Sequence, residues 1–147
     1  MSYADRLLPN DPQSWLLYLE DDVFLSRELP ALLPDLIRIG ARDNVDCWYL
    51  CNRKNPVTEQ YRNGTMVINR LEYPVHGSHG LLLPKRHLRT MLDSHWNQTA
   101  DLAMFAAIYH SEMKILQVVQ PVLVEHLGEI STYNPQTRMK LEVNHAD

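Results

Sequence analysis

No stretch of this chain is apolar over the length that a bilayer-crossing helix needs. Its first residues, MSYADRLLPNDP, hold neither the charged start nor the apolar run of a signal peptide. Cysteine is scarce: Cys47 and Cys51 are the only two in 147 residues. Four apart in one strand, they would stand roughly 13 Å apart, too far to be joined to each other. They read as free thiols in a core, and with no leader in view the chain is expected in the reducing cytoplasm. In that compartment the glycan-acceptor patterns Asn63-Gly64-Thr65 and Asn97-Gln98-Thr99 carry no meaning. Basic charge is also short. Fourteen Lys and Arg against 18 Asp and Glu leave a formal charge of −4. The cations are scattered, Lys85-Arg86 being the densest group, so no nucleic-acid footprint is present. Repeats, low-complexity stretches and linkers are missing too.

What remains is one domain, residues 1–147, with an ordinary 45% of hydrophobic and 22% of charged residues. Trp15 to Leu19 is a continuous apolar run, the pattern of a strand buried on both faces in a parallel sheet. Residues 27–42 are helical in pattern, and Pro30 and Pro34 are expected to kink or split that helix. Ser26 can cap it, and Gly40 lies where it could end. Strands are expected over 45–51, 65–69, 79–83, 114–119 and 122–125, with helices from Pro84 to about Asp93 and over 101–112. Residues 52–64 read as a polar loop with turn signals at Asn55-Pro56 and Asn63-Gly64. Strands alternating with helices predict an α/β fold, a mainly parallel, mixed sheet flanked by helices.

The apolar run stops at three acids, Glu20-Asp21-Asp22. Adjacent carboxylates in a half-buried site repel one another unless a cation is present. The end of a buried strand is where open α/β sheets hold ligands, and a hard cation, Mn²⁺ or Mg²⁺, suits carboxylate oxygens and can bridge to a diphosphate. A solvated acidic turn, with Asp21 or Asp22 capping the next helix, is the plain alternative.

Leu17-Tyr18-Leu19-Glu20-Asp21-Asp22-Val23 resembles the acidic motif of glycosyltransferases with the GT-A fold, above all the LEDDV motif of bacterial lipopolysaccharide glycosyltransferases. Two further segments resemble that family in the same order. His76-Gly77-Ser78-His79-Gly80 with Leu81 to Leu83 is similar to its glycine-bearing strand on the acceptor side. Gln120 to Ser131 is similar to its late segment of proline, short strand, histidine, glycine and serine. The resemblance, over about residues 15–133, implies a partial GT-A-like domain transferring sugar from a nucleotide-sugar donor, a UDP-sugar foremost, to a glycan or other acceptor. It implies a metal site of Asp22, Glu20 and His126, with Mn²⁺ or Mg²⁺. Asp22 would be the direct ligand. Glu20 would touch the ribose or the metal's water shell, and Asp21 the metal or the donor sugar. Asp101 would be the catalytic base in an inverting enzyme, although an Asp opening a helix is equally explained as an N-terminal stabiliser.

Other residues have simpler readings beside functional ones. His126 alone would be read as a hydrogen-bonded core histidine; the resemblance raises it to a ligand. His76 and His79 could line an acceptor pocket or be turn and edge residues. Gly77 and Gly80 could admit a ligand's close approach or serve a turn. Only fourteen residues precede Trp15, whereas the family places further βαβ units there for the donor's base and ribose. The expectation is therefore a truncated form, a homodimer, or a chain completed by another subunit. A non-catalytic remnant serving as a binding or assembly module is the alternative reading.

Overall fold

The computed structural model describes residues 13–72, 79–87 and 112–127. Eight strands and one long helix lie within them: β1 (Trp15–Leu19), β2 (Val23–Leu25), α1 (Leu29–Arg42), β3 (Cys47–Tyr49), β4 (Val57–Asn63), β5 (Met66–Leu71), β6 (Gly80–Pro84), β7 (Ile115–Gln120) and β8 (Val124–His126). Six strands form one sheet in the order β1-β6-β3-β7-β5-β4, and β2 pairs with β8 in a separate ribbon. The sheet is mixed, as expected, but it is not mainly parallel. Among the described pairings of named strands only β3 with β7 is parallel; the other five are antiparallel.

The core lies in the middle strands. Trp48, Tyr49, Leu82, Leu83, Leu116, Ile68 and Val118 are fully or almost fully buried there. β1, expected to be buried on both faces, is an edge strand that among the described residues pairs with β6 alone, and each of its five residues is half-buried. An unbroken apolar run does not by itself mean burial on both faces. Here Trp15 to Leu19 all pack partly against the core from its margin.

α1 lies against the sheet through Leu36, Ile39 and Gly40. The buried Trp48 Nε1–H donates to the Leu36 carbonyl at 3.0 Å. A Cβ on Gly40 would come within 2.9 Å of that same nitrogen and would also strike the Trp15 ring, so the absent side chain sets the helix–sheet distance. Neither proline splits α1. Pro30 sits in the first turn, where its missing N–H is no loss. Pro34 removes one helical bond, and its exposed face leaves the freed Pro30 carbonyl open to water. Ser26 acts two residues before the cap position, accepting from the Glu28 N–H at 3.2 Å. The helix runs past Gly40 and ends through Asn44, whose φ of 52° permits the Val45 N–H to reach the Gly40 carbonyl at 2.9 Å.

Two strands escaped the sequence reading. β4 falls in the expected polar loop. It is an exposed edge strand, so its Thr, Glu, Gln and Arg show no alternation to read. It turns into β5 through Gly64 at φ 60°, as the Asn63-Gly64 signal implied. β2 is three residues long, too short for a pattern. The helix expected from Pro84 begins at residue 85; its continuation beyond 87 and the helix expected over 101–112 lie outside the described residues, except for Glu112, which is in a turn at φ 48°. Cys47 and Cys51 are free and buried. Burial pushes the Cys47 thiol up to about 12 and raises that of Cys51. No helix among the described residues is long and apolar enough to cross a membrane.

Asp46, just before β3, holds three parts of the chain together. Its Oδ2 accepts the Lys114 N–H at 2.9 Å at the start of β7, and its Oδ1 meets His87 Nε2 at 2.7 Å and Arg86 Nη2 at 3.4 Å. Burial opposes ionisation of Asp46, but the Lys114 N–H, His87 and Arg86 outweigh it and hold the carboxyl below its ordinary value of 3.8. Asp46→Ala should lower stability by about 1–3 kcal/mol at neutral pH, since it strips charged acceptors from partly buried donors. Because the folded-state value is depressed, this contribution is complete above the ordinary value and fades as pH falls through the depressed one. Denaturant unfolding of both proteins from pH 7 down to pH 3 should show the two curves converging in acid.

Candidate metal centre

Two antiparallel registers and one short turn build the site. In the first register Leu19 faces Gly80, so the residue after β1, Glu20, meets the residue before β6, His79. Glu20 Oε2 lies 2.6 Å from His79 Nδ1. In the second register Val23 faces His126, so the residue before β2, Asp22, lies beside the end of β8. The Leu127 N–H donates to the Asp22 carbonyl at 2.9 Å, and His126 Nε2 is 2.9 Å from Asp22 Oδ2. The acidic turn thus joins the sheet to the ribbon and carries one carboxylate to each histidine.

The ribbon is drawn against the sheet by backbone bonds and by a glycine. The Leu50 N–H reaches the Gly80 carbonyl at 2.9 Å, Cys51 bridges to Val124, and the Asn52 N–H reaches the Val124 carbonyl at 3.3 Å. The buried Gln117 donates through Nε2 to the carbonyls of Cys51 and Arg53 at 2.9 and 2.7 Å, fixing the segment that carries these contacts. A Cβ on Gly80 would stand 3.1–3.3 Å from three Val124 atoms. Gly80 therefore permits close approach, of Val124. The outcome is that the His79 and His126 rings lie 4.1 Å apart, centroid to centroid, tilted by 41°.

Asp22, His79 and His126 each offer a ligand atom, and these atoms all lie within 4.8 Å of one another. Bonds of about 2.1 Å to a common ion put its ligand atoms roughly 3–4 Å apart, so the three can close on one ion with little movement. Two buried atoms of the group have no hydrogen-bond partner, Asp22 Oδ1 and His79 Nε2. Asp22 as a whole is nearly half exposed, but this oxygen is sealed inward. Burial lowers the His79 pKa against the opposing pull of Glu20, and the His126 and Arg53 charges lower it further. A neutral His79 with its proton on Nδ1 keeps a lone pair on Nε2. Two sealed atoms of one group, without a hydrogen-bond partner, fit a bound cation.

Of the residues expected at the site, Asp22 and His126 come together as the sequence suggested. Glu20 stands one step out, on His79. Asp21 is exposed on the turn. Asp101, His76 and Gly77 lie outside the described residues. His79 was read as a pocket or edge residue and belongs to the group. Its signal was one that sequence cannot supply, the antiparallel pairing of β1 with β6. A groove of about 380 Å³ lined by Phe24, Ser26, Arg27, Glu28, Val122, Leu123 and Glu125 runs along the same ribbon. Phe24 pairs with Glu125, one position from His126, so side-chain alternation puts this groove on the opposite face from the histidine.

Comparison of the chain with protein-family models, curated proteins and solved structures found no match. The glycosyltransferase resemblance therefore rests on the three quoted segments.

Gly80→Ala should weaken binding of a divalent ion about tenfold or more, because Val124 and with it His126 must shift by a few tenths of an ångström. Calorimetric titration of the variant with Mn²⁺ measures this, and Gly64→Ala, at a hairpin remote from the site, serves as the control.

Proposed function

We propose that this chain is the metal-binding part of a glycosyltransferase that moves a sugar from a nucleotide-sugar donor, a UDP-sugar foremost, to a glycan-type acceptor. The observation that carries the reading is the meeting of Asp22 and His126, 104 residues apart in sequence, at 2.9 Å. The GT-A resemblance pairs these same two segments around a metal. The orphaned Asp22 Oδ1 and His79 Nε2 support a cation between them.

Asp22, His126 and His79 would hold the ion. Bound there, a divalent metal supplies charge neutralisation to the leaving diphosphate. The protein's own groups do the rest. Asp22 and His126, set side by side by the β2–β8 register, exchange their mutual contact at 2.9 Å for bonds to the ion. Asp21, exposed on the same turn, is free to accept hydrogen bonds from donor-sugar hydroxyls. In an inverting reaction Asp101 takes the proton of the acceptor hydroxyl as that oxygen bonds to the donor's anomeric carbon, and the nucleoside diphosphate leaves with the electrons of the broken bond.

Calorimetric titration of Mn²⁺ with and without UDP tests the proposal. UDP should tighten Mn²⁺ binding, and Mn²⁺ should tighten UDP binding by the same factor. Asp22→Ala should abolish both effects. Asp101→Asn should leave them intact while removing sugar transfer. Mn²⁺ binding that is indifferent to UDP and to other nucleoside diphosphates would contradict the transferase reading.

A further inference from the structure

Glu20 is the first acid of the motif, yet its carboxylate does not enter the group of ligand atoms. It lies behind His79, Oε2 to Nδ1, at 2.6 Å. His79 is itself only 8% exposed, and its other nitrogen, Nε2, is sealed and without a partner. A neutral imidazole has one N–H; with a carboxylate on Nδ1 that hydrogen stays there, and Nε2 is left as the lone pair His79 has to offer the group it forms with Asp22 and His126. This is the arrangement in which a carboxylate orients a metal-bound histidine and raises its basicity.

We propose that Glu20 is a positioning residue, not a ligand, and that it makes His79 the third ligand of a two-imidazole, one-carboxylate site selective for borderline transition ions over Mg²⁺. The proposal rests on the metal site of the preceding section and deepens it. Mg²⁺ prefers oxygen donors and parts reluctantly with its water. Two imidazole nitrogens suit ions from Mn²⁺ to Zn²⁺, with affinity rising from Mn²⁺ to Cu²⁺ and falling back at Zn²⁺. His79 is the residue that decides between the two classes, since Asp22 and His126 alone leave a site that water oxygens would complete. Gly80 follows His79 directly, and its contact with Val124 brings the second imidazole within reach.

The test uses the full chain stripped of metal, titrated with Co²⁺, Zn²⁺, Mn²⁺ and Mg²⁺ by calorimetry and, for Co²⁺, by visible absorption. The wild type should bind Co²⁺ and Zn²⁺ at least 100-fold more tightly than Mg²⁺, and Co²⁺ should give ligand-field bands of a nitrogen-containing site. Glu20→Leu should weaken Co²⁺ binding about 10–100-fold and change those bands. Glu20→Gln, whose amide oxygen still accepts the Nδ1–H, should restore most of the affinity and the wild-type spectrum. His79→Asn should lose Co²⁺ and Zn²⁺ affinity while leaving the weak Mg²⁺ binding near its wild-type level. Unchanged thermal unfolding of the metal-free variants separates these effects from misfolding, and the Glu20→Gln rescue does so independently. Wild-type affinity and spectrum in both Glu20→Leu and His79→Asn would overturn the proposal while leaving an Asp22–His126 site standing. Co²⁺ binding that responds to Glu20 but not to UDP would support the positioning role and remove the transferase reading. A wild-type chain that binds none of the four ions would overturn both.

Discussion

The turn Glu20-Asp21-Asp22 links two antiparallel registers, and the candidate site exists only while both are kept. A strand's side chains alternate between faces, so a slip of one residue between β1 and β6 would move Glu20 off His79. The same slip between β2 and β8 would turn His126 away from Asp22. The ribbon is short: β2 and β8 have three residues each. Their pairing alone would be marginal. It is extended by the Ser26 N–H on the Leu123 carbonyl at 2.9 Å and held from outside by the Cys51–Val124 bridge and the Asn52 N–H on the Val124 carbonyl at 3.3 Å.

Close packing then turns register into geometry. Leu123 and Val124 are buried, and Val124 rests against the bare α-carbon of Gly80. At the other margin Gly40 lets α1 settle on Trp48 and Trp15. The two glycines act alike, each removing a side chain where two elements meet, and both place an element that the site needs. Gly40 supports the sheet face on which β1 lies, and Gly80 supports the approach of β8. Burial of the histidines and of one Asp22 oxygen without internal donors is costly unless a charge compensates it. The buried Gln117 and the Asp46 carboxylate are, by contrast, engaged, and the Tyr49 hydroxyl is the other buried side-chain polar atom without a partner among the described residues.

Composition and punctuation made part of this legible. The free thiols, the strands around Trp48, Leu82 and Leu116, the Asn63-Gly64 turn and the acid cluster could all be read from residue types. Strand direction could not. β1 and β6 carry apolar runs equally suited to parallel or antiparallel neighbours, and β4 shows no apolar alternation because its residues are exposed up to Gln60 and only Tyr61 and Asn63 are half-buried. Pro30 and Pro34 looked disruptive because sequence does not reveal that both lie on the exposed side of α1. Asp22 with His126 was legible through the family resemblance. Glu20 on His79 was not, since that contact arises from an antiparallel register between segments 59 residues apart. For the same reason Gly80 could be read as serving a ligand, when its neighbour is a valine from a strand more than 40 positions later.

X-ray absorption of the Co²⁺- or Mn²⁺-loaded protein tests the central claim, that these registers bring two imidazoles and one carboxylate to a single ion. The first shell should contain two imidazole nitrogens, identified by their outer-ring scattering, with oxygens from Asp22 and water making up the rest. A shell made only of oxygens, or one with a single imidazole, would contradict it.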